Sequence, residues 1–286
     1  MAGEKMGLNY GSRLREALAE KEIIPFIGIY DTFSAAISAK YFDGTFVSGF
    51  SFAASFYGMP DIGLISWSDI VALVQRIRTI LPQQHILVDI DDGYADIEVA
   101  CHVVSLLESI GASGIILEDQ KRPKRCGHLN NKQILSLDEF LPKLEKVIAT
   151  RKDMVVVART DSNDHDDIIR RVEAFDKAGA DWLLVDGVSN LDLVRAVRSH
   201  TKKPLVFNHI AGGKSPSLSL TELKSQGISA VLYSTPCLFA AQASIQESIQ
   251  NLKASDGLLS AKNTKCVDLA SCQALLEENL MKRTVL

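Results

Sequence analysis

Three carboxylates lie within four consecutive residues in the segment Asp89-Ile90-Asp91-Asp92. Carboxylates at this spacing repel one another unless a cation or hydrogen bonds offset their charge. Oxygen ligands of this kind favour Mg²⁺ or Mn²⁺, and a magnesium site typically uses about one or two carboxylates with water and substrate. An acidic helix N-terminus is the alternative, since the helix dipole also favours negative charge there. Glu118, which ends the next predicted strand, favours the metal site.

A second segment, Lys124-Arg125-Cys126-Gly127-His128, surrounds a thiol with basic side chains. A cysteine flanked by Arg125 and His128 is expected to have a lowered pKa and to serve as a nucleophile or as an acid–base group. Gly127 suggests a loop that closes over a ligand. A surface cysteine without chemical function is the alternative. The other cysteines have apolar or helical neighbours and are expected to pack as small side chains. They are Cys101, Cys237, Cys266 and Cys272.

Arg159 follows an apolar run and precedes Thr160 and Asp161. A guanidinium directed into an acidic cleft would bind a substrate carboxylate through two parallel hydrogen bonds. A structural salt bridge to one of the neighbouring acids explains an arginine at this position equally well, so both interpretations stay open.

Short apolar runs alternate with longer amphipathic stretches along the chain. The runs are rich in Val, Ile and Leu without polar alternation, which is typical of parallel strands buried on both faces. They are Ile24–Ile29, Thr45–Val47, Ile86–Ile90, Gly114–Leu117, Met154–Ala158, Trp182–Val185, Pro204–Phe207 and Ser229–Tyr233. The stretches with helical spacing are Ser68–Leu81, Ile97–Ile110, Leu137–Ala149, Asp166–Ala178, Asn190–Ser199, Leu220–Gln226 and Cys237–Leu252.

About eight strand–helix units in strict alternation predict an α/β protein whose parallel sheet closes into a (β/α)₈ TIM barrel. An open, doubly wound sheet is the alternative, but no Gly-x-Gly-x-x-Gly follows the first strand to support a dinucleotide site. We predict a catalytic barrel over residues 1–255 and a helical extension over residues 256–286. The extension would contain a further amphipathic helix at Val267–Met281.

The carboxyl ends of the predicted strands carry a series of polar groups. In a barrel these ends meet at one mouth, where several strands contribute catalytic side chains. The residues at or just after the strand ends are Tyr30, Asp31, Ser48, Gly49, Asp89, Asp91, Asp92, Glu118, Asp119, Arg159, Asp186, Asn208 and His209. A single polar strand end is ordinary, but carboxylates gathered with an arginine favour a reactive site.

The composition excludes several classes of function. The formal net charge is −4, and the sequence has no basic stripe of the kind that binds nucleic acid. No window approaches about 18 apolar residues, and no apolar signal segment is recognisable. The five cysteines form no Cys-x-x-Cys pair, which argues against zinc ribbons and redox motifs. We therefore expect a cytoplasmic enzyme with reduced thiols and with neither a nucleic-acid nor a membrane partner.

The motifs, in their order and spacing, resemble the isocitrate lyase/phosphoenolpyruvate mutase superfamily from about Leu14 to Ser248. The matching segments are Gly28–Ala35, Val47–Phe50, Gly58–Gly63, Asp89–Tyr94, Glu118–Gln120, Lys124–His128 and Ala158–Asp161. The resemblance implies that Asp89, Asp91 and Glu118 hold Mg²⁺, partly through water, with Mn²⁺ as an alternative ion. Asp61 would support these ligands. The residues implied in substrate binding are Tyr30, Ser48, Gly49, Phe50, Gly127, Arg159, Asp186 and Asn208.

We call residues 124–130 the cysteine loop. This loop resembles that of the superfamily's lyases, whereas the phosphoryl mutases lack the cysteine. The resemblance implies deprotonation of a 2-hydroxyl group, a retro-Claisen break of the C2–C3 bond and release of a 2-oxo acid. Cys126 would protonate the enolate-like carboxylate, with His128 and Arg125 stabilising it. The implied substrate is a small 2-hydroxy di- or tricarboxylic acid, and the implied assembly is a homotetramer that exchanges a C-terminal helix.

Two differences from the isocitrate and methylisocitrate lyases narrow the range of expected substrates. Isocitrate and methylisocitrate lyases carry a glutamate in place of Asp186, and an Asn-x-Thr-Glu segment in place of Asn208-His209-Ile210-Ala211. That segment receives the distal carboxylate of tricarboxylic substrates, so Ile210 and Ala211 predict a malate-like or alkylmalate-like substrate instead. Residues 212–216 resemble the dimethylmalate lyase and carboxyphosphonoenolpyruvate mutase branches. The alternatives are an oxaloacetate-type hydrolase, phosphorus–carbon chemistry and a barrel without catalysis.

Overall fold

The structure, a computed structural model, describes residues 9–259 and 266–283. Its strands form one closed parallel barrel in sequence order, with β1 paired to both β2 and β8. The strands are β1 (Ile24–Ile29), β2 (Gly44–Val47), β3 (His85–Asp89), β4 (Gly114–Glu118), β5 (Val155–Thr160), β6 (Trp182–Val185), β7 (Leu205–His209) and β8 (Ile228–Tyr233). The predicted barrel is confirmed, and the open sheet is excluded by the closure of β8 onto β1.

Helices surround the barrel and in most cases match the predicted stretches. They are α1 (Tyr10–Lys21), α2 (Thr32–Ser38), α3 (Gly49–Phe52), α4 (Trp67–Ile80), α5 (Ile97–Ser109), α6 (Leu137–Thr150), α7 (His165–Ala178), α8 (Leu191–His200), α9 (Leu220–Ser225), α10 (Pro236–Ala254) and α11 (Leu269–Lys282). A π-helical turn, Ala53–Tyr57, extends α3. The sequence analysis missed α1, α2 and α3. Both α2 and α3 are too short to show a helical period.

The amino-terminal end of the barrel is closed by α1. Leu14 of α1 is fully buried in a cluster with barrel residues such as Phe26 and Trp182. The rings of Phe26 and Trp182 meet edge to face with centroids 6.4 Å apart. Because this end is filled with apolar side chains, only the carboxyl end of the barrel is left for a ligand site.

The helix after β8 exists as predicted and contacts β1, although no residue of α10 is buried. Helix α11 lies against α4, and Lys40 Nζ is 2.9 Å from Glu278 Oε2 of α11. The boundary near residue 255 stays a prediction. Within the described ranges, no helix is both long and apolar enough to cross a membrane.

Candidate active site

A small cavity lies at the carboxyl end of the barrel. The lining residues are Phe46, Ser48, Phe50, Asp61, Asp89, Cys126, Gly127, Arg159, Asp186, Asn208, Ile210, Leu232 and Ser234. The structure therefore brings together residues that the sequence analysis drew from five different strands and from the cysteine loop.

The acidic segment after β3 has an unusual backbone. Asp91 has a φ of 52° and Gly93 a φ of 82°, both in the left-handed region. The Asp91 N–H donates to Asp89 Oδ1 at 3.1 Å, and the Gly93 N–H donates to the Ile90 carbonyl at 3.0 Å. A left-handed conformation costs free energy, although aspartate adopts it more readily than most residues. This turn keeps the carboxylates of Asp89 and Asp91 at the barrel mouth.

Lys124 places its ammonium among these carboxylates, a role that the sequence analysis did not predict. Its Nζ donates to Asp91 Oδ1 and lies 3.2 Å from Asp61 Oδ1 and 3.8 Å from Glu118 Oε1. The Lys124 side chain is completely buried. A lysine is almost never buried without partners, so the acids and Lys124 stabilise one another. The signal in the sequence was the position of Lys124 in the same segment as Cys126.

The acids of this cluster are difficult to ionise. Burial raises the pKa of Asp89 to about 6, although Lys124 opposes the shift. Burial likewise raises the pKa of Glu118, against the opposing effect of Arg159 and Lys124. An additional positive charge at this position would stabilise both carboxylates in their ionised forms.

The donor set fits a hard divalent cation. Asp91 Oδ2 and both carboxylate oxygens of Glu118 are buried and make no hydrogen bond, although Arg159 and Lys124 lie at ion-pair distance from Glu118. A Cβ at Gly49 would lie 3.0 Å from Asp89 Oδ2, so a larger residue there would crowd these acids. Within residues 9–259 and 266–283, no three His, Cys, Asp or Glu side chains are close enough together to hold one metal ion. Since the Lys124 ammonium lies among the carboxylates, a cation would have to compete with it.

Arg159, at the end of β5, is a cation that several acids of the site share. Its Nη2 lies 2.7 Å from Asp186 Oδ2, and its Nη1 lies 3.1 Å from Glu118 Oε2. Its Nε donates to Asp161 Oδ2 at 2.9 Å. The structural salt bridge considered from the sequence is therefore present. Binding of a substrate carboxylate by Arg159 stays a prediction, and it would require the exchange of one of these partners.

Asp186 joins the cysteine loop to the barrel. Its Oδ1 accepts from Asn208 Nδ2 at 2.9 Å and lies 3.3 Å from His128 Nε2. Burial alone would raise the pKa of Asp186, but Arg159 and then His128 outweigh burial and hold that pKa below its usual range. The Lys214 N–H donates to His128 Nδ1 at 3.0 Å, which assigns the His128 proton to Nε2, toward Asp186.

The expectation of a lowered pKa for Cys126 is wrong. Burial, and after it the negative charge of Asp186, raises the pKa of the half-buried Cys126 thiol to about 11. The residues that flank Cys126 in sequence are not its decisive neighbours in space. At neutral pH the thiol is protonated, so it suits proton donation better than nucleophilic attack.

Six predicted site residues lie outside the cavity lining: Tyr30, Gly49, Asp91, Glu118, Arg125 and His128. The Arg125 side chain is exposed, and Gln120 holds the Arg125 backbone from both sides, accepting from its N–H at 2.9 Å and donating to its carbonyl at 2.7 Å. Tyr30 is half-buried at the end of β1. Among the other cysteines, Cys266 is exposed rather than packed, contrary to the expectation, whereas Cys101 is buried as expected.

Two further site residues were missed. Ser234 follows β8, lines the cavity, and donates its hydroxyl to Asn208 Oδ1 at 2.6 Å. Lys132 Nζ lies 2.7 Å from Asp161 Oδ1, with the Lys132 side chain only 1% exposed. Asp161 was quoted only as part of a motif. None of these residues carried a distinctive spacing, so tertiary contacts alone reveal them.

Comparison with known proteins agrees with the fold. A sequence model of the phosphoenolpyruvate phosphomutase family matches residues 14–253. The chain is 33% identical over 235 residues to the petal death protein of Dianthus caryophyllus, covering 79% of this chain and 73% of that protein. It is 31% identical over 229 residues to a 2-methylisocitrate lyase of Shewanella oneidensis, covering 78% of each.

Two solved structures have the same architecture. That of 2,3-dimethylmalate lyase superposes with a TM-score of 0.88 at 26% identity, over 96% of this chain and 93% of that one. That of oxaloacetate acetylhydrolase with 3,3-difluorooxaloacetate superposes with a TM-score of 0.88 at 27% identity, over 96% and 94%. The chain belongs to the phosphoenolpyruvate phosphomutase family and thus to the phosphoenolpyruvate mutase/isocitrate lyase superfamily of enzymes.

Proposed function

We propose that the protein is a Mg²⁺-dependent carbon–carbon lyase that cleaves a small 2-hydroxy dicarboxylic acid. One observation carries the proposal: the protonated thiol of Cys126 and the carboxylate of Asp89 line the same small cavity. A retro-Claisen cleavage needs a negative cluster that can hold a cation at one end of the substrate and a proton donor at the other. Those two requirements coincide here.

Asp89, Asp91 and Glu118 would hold the metal ion at the 2-oxo-acid end of the substrate. When bound, Mg²⁺ supplies Lewis-acid stabilisation of the oxygen that becomes the carbonyl. Ser48 and Gly49 lie beside this cluster. The Ser51 N–H donates to the Ser48 hydroxyl, but the N–H groups of Gly49 and Phe50 in the first turn of α3 have no partner within the helix. These groups are available to the α-carboxylate of the substrate.

The remaining chemistry belongs to Asp61 and the cysteine loop. The 2-hydroxyl group gives its proton to Asp61, a carboxylate of the cavity lining whose pKa is raised by burial. The C2–C3 bond then breaks, and its electron pair moves into the carboxylate attached to C3. The Cys126 thiol then transfers its proton to C3, giving a saturated acid beside the 2-oxo acid. Asp186 holds Gly127 and His128 against the barrel, so the thiol stays close to the substrate. A high pKa keeps the proton on Cys126 until the enolate forms.

The apolar part of the cavity lining would receive the substrate's side chain. Ile210 and Leu232 line the cavity together with Phe46, and these side chains offer no partner for a distal carboxylate. Burying an unpaired carboxylate against them would be costly, whereas an alkyl group gains from the same contact. We therefore propose an alkylmalate-like substrate over methylisocitrate.

A hydrolase acting on oxaloacetate is the second candidate. Its support is the likeness to oxaloacetate acetylhydrolase together with the hydrogen-bonded Ser234–Asn208 pair in the cavity wall. In that reaction an activated water attacks the carbonyl group, and two acids are formed without a new 2-oxo acid.

An NMR product assay separates these functions. The panel would be malate, 2-methylmalate, 2,3-dimethylmalate, methylisocitrate and oxaloacetate, each with Mg²⁺, with the Cys126→Ala variant as control. We expect pyruvate from 2-methylmalate or 2,3-dimethylmalate with wild-type protein only. Acetate and oxalate from oxaloacetate would establish the hydrolase instead. Turnover by Cys126→Ala at the wild-type rate would refute the role of the thiol.

A further inference from the structure

Arg122 lies just before the cysteine loop and makes a three-point contact outside the cavity. Its Nε donates to Asp92 Oδ2 at 2.9 Å, and its Nη2 donates to Asp92 Oδ1 at 2.7 Å. Its Nη1 donates to the carbonyl of Gly63 at 2.8 Å. A bidentate guanidinium–carboxylate pair is among the strongest and most directional contacts between exposed or half-exposed side chains.

Arg122 and its two partners belong to three different segments of the mouth. Asp92 directly follows the proposed metal ligand Asp91, Gly63 lies two residues after Asp61, and Arg122 lies four residues before Cys126. The guanidinium of Arg122 therefore ties the loop that carries the proton donor to the two segments that carry the carboxylates.

Asp92 is a rigid anchor for this contact. Its carbonyl accepts from Lys143 Nζ of α6 at 2.8 Å, and its Oδ1 also accepts from the Tyr94 N–H at 3.1 Å. The Asp92 side chain is only 9% exposed, whereas the Arg122 side chain is 39% exposed. Arg122 can thus leave its anchor for solvent while Asp92 stays in place.

The cysteine loop borders the space that a substrate would occupy. Cys126 and Gly127 form part of the cavity wall, and Gly127 lies against Asp186, so displacement of the loop would widen the cavity. The contacts made by Lys124 and His128 within the loop involve groups of the site itself. The Arg122 contact lies outside the cavity lining, so it can change the stability of the closed loop without touching the substrate.

We propose that Arg122 is a positioning residue, a latch that holds the cysteine loop closed through Asp92 and the carbonyl of Gly63. The latch places Cys126 in the cavity and sets the fraction of time for which the loop is closed. The expected effect of the latch on turnover rests on the proposed function. The expected effect of the latch on the position of the loop does not depend on the proposed function.

The test compares wild-type protein with Arg122→Met. This variant keeps most of the length of the side chain and removes the forked guanidinium group. The first readout is the rate at which iodoacetamide alkylates Cys126 in the metal-free and substrate-free protein, followed by peptide mass spectrometry. We expect this rate to rise about five- to tenfold, because a loop that opens more often exposes the thiol more often. The second readout is the split between kcat and KM, where kcat should fall by a similar factor while KM changes less.

The matched control is Arg170→Met, which removes an exposed arginine that contacts Asp167 on α7. Its alkylation rate should equal that of wild-type protein. Asp92→Asn should reproduce the effect of Arg122→Met, and the double variant should add nothing further. If Arg122→Met does not fold, Arg122→Lys gives the same comparison, since lysine keeps the charge but cannot form the fork.

An unchanged rate of Cys126 alkylation in a folded Arg122 variant would overturn the latch, whatever the enzyme's activity. Absence of turnover by wild-type protein would refute the proposed function instead, and the alkylation measurement would still decide on the latch.

Discussion

Gly127 lies so close to Asp186 that a Cβ at position 127 would fall 1.8 Å from Asp186 Oδ2. The same Cβ would lie 2.7 Å from Arg159 Nη2, so neither partner could yield without breaking their ion pair. Only glycine therefore permits the closed position of the cysteine loop. We expect Gly127→Ala to lower kcat by about a hundredfold or more, since displacement of a reacting group by about 1 Å has that effect.

The melting temperature of Gly127→Ala should change little, because the loop can open to relieve the overlap. Asn130→Ala is the matched control, as Asn130 is an exposed residue of the same loop. A Gly127→Ala variant with wild-type kcat would show that the closed loop is not the reactive arrangement.

The raised pKa of Cys126 predicts how its reactivity depends on pH. Only the thiolate reacts with iodoacetamide. With a pKa of about 11 rather than the ordinary 9.0, the alkylation rate should rise about tenfold per pH unit and continue to rise beyond pH 9. Peptide mass spectrometry of the loop peptide measures this rate, and Cys126→Ser provides the blank. A plateau below pH 9 would contradict the dominance of burial and Asp186.

Metal affinity should depend on pH through Asp89. A carboxylate binds a metal ion only when ionised, and the pKa of Asp89 in the metal-free protein is about 6. The protonated form therefore dominates below this value, and affinity for Mg²⁺ should rise about tenfold from about pH 5 to about pH 7. Calorimetric titration measures the affinity. Asp89→Asn should abolish the binding, and a dissociation constant independent of pH in wild-type protein would exclude Asp89 as the titrating ligand.

The barrel could be predicted because each strand corresponds to a short apolar run in the sequence. The apolar runs end within about two residues of the observed strands, so Asp89, Glu118 and Arg159 were placed correctly at strand ends. The parallel barrel then brings these ends together, whatever the sequence of the connecting segments. Prediction succeeded where a side chain's position follows from the strand that carries it.

Prediction failed where the decisive neighbours come from distant segments. Lys124 in a run of basic residues suggests exposure, yet acids from other segments hold it in the interior. Arg125 was expected to lower the pKa of Cys126, but the Arg125 side chain is exposed. Asp186, which follows β6, acts on the thiol instead and raises its pKa. Local sequence carries no record of such contacts, because they depend on which loops meet at the mouth.

The apolar face of α10 predicts an assembly of several chains. Ile245 is 57% exposed and Ile249 is 61% exposed, one helical turn apart, and no residue of the helix is buried. Since an exposed apolar stripe of this kind usually marks an interface, we expect the four-chain particle implied by the family resemblance. Ile245→Glu combined with Ile249→Glu should reduce the mass in light scattering to that of smaller species. The control, Gln246→Glu combined with Gln250→Glu, adds the same charge one residue along the helix and should leave the particle intact. A wild-type protein that elutes as a single chain would contradict the assembly directly.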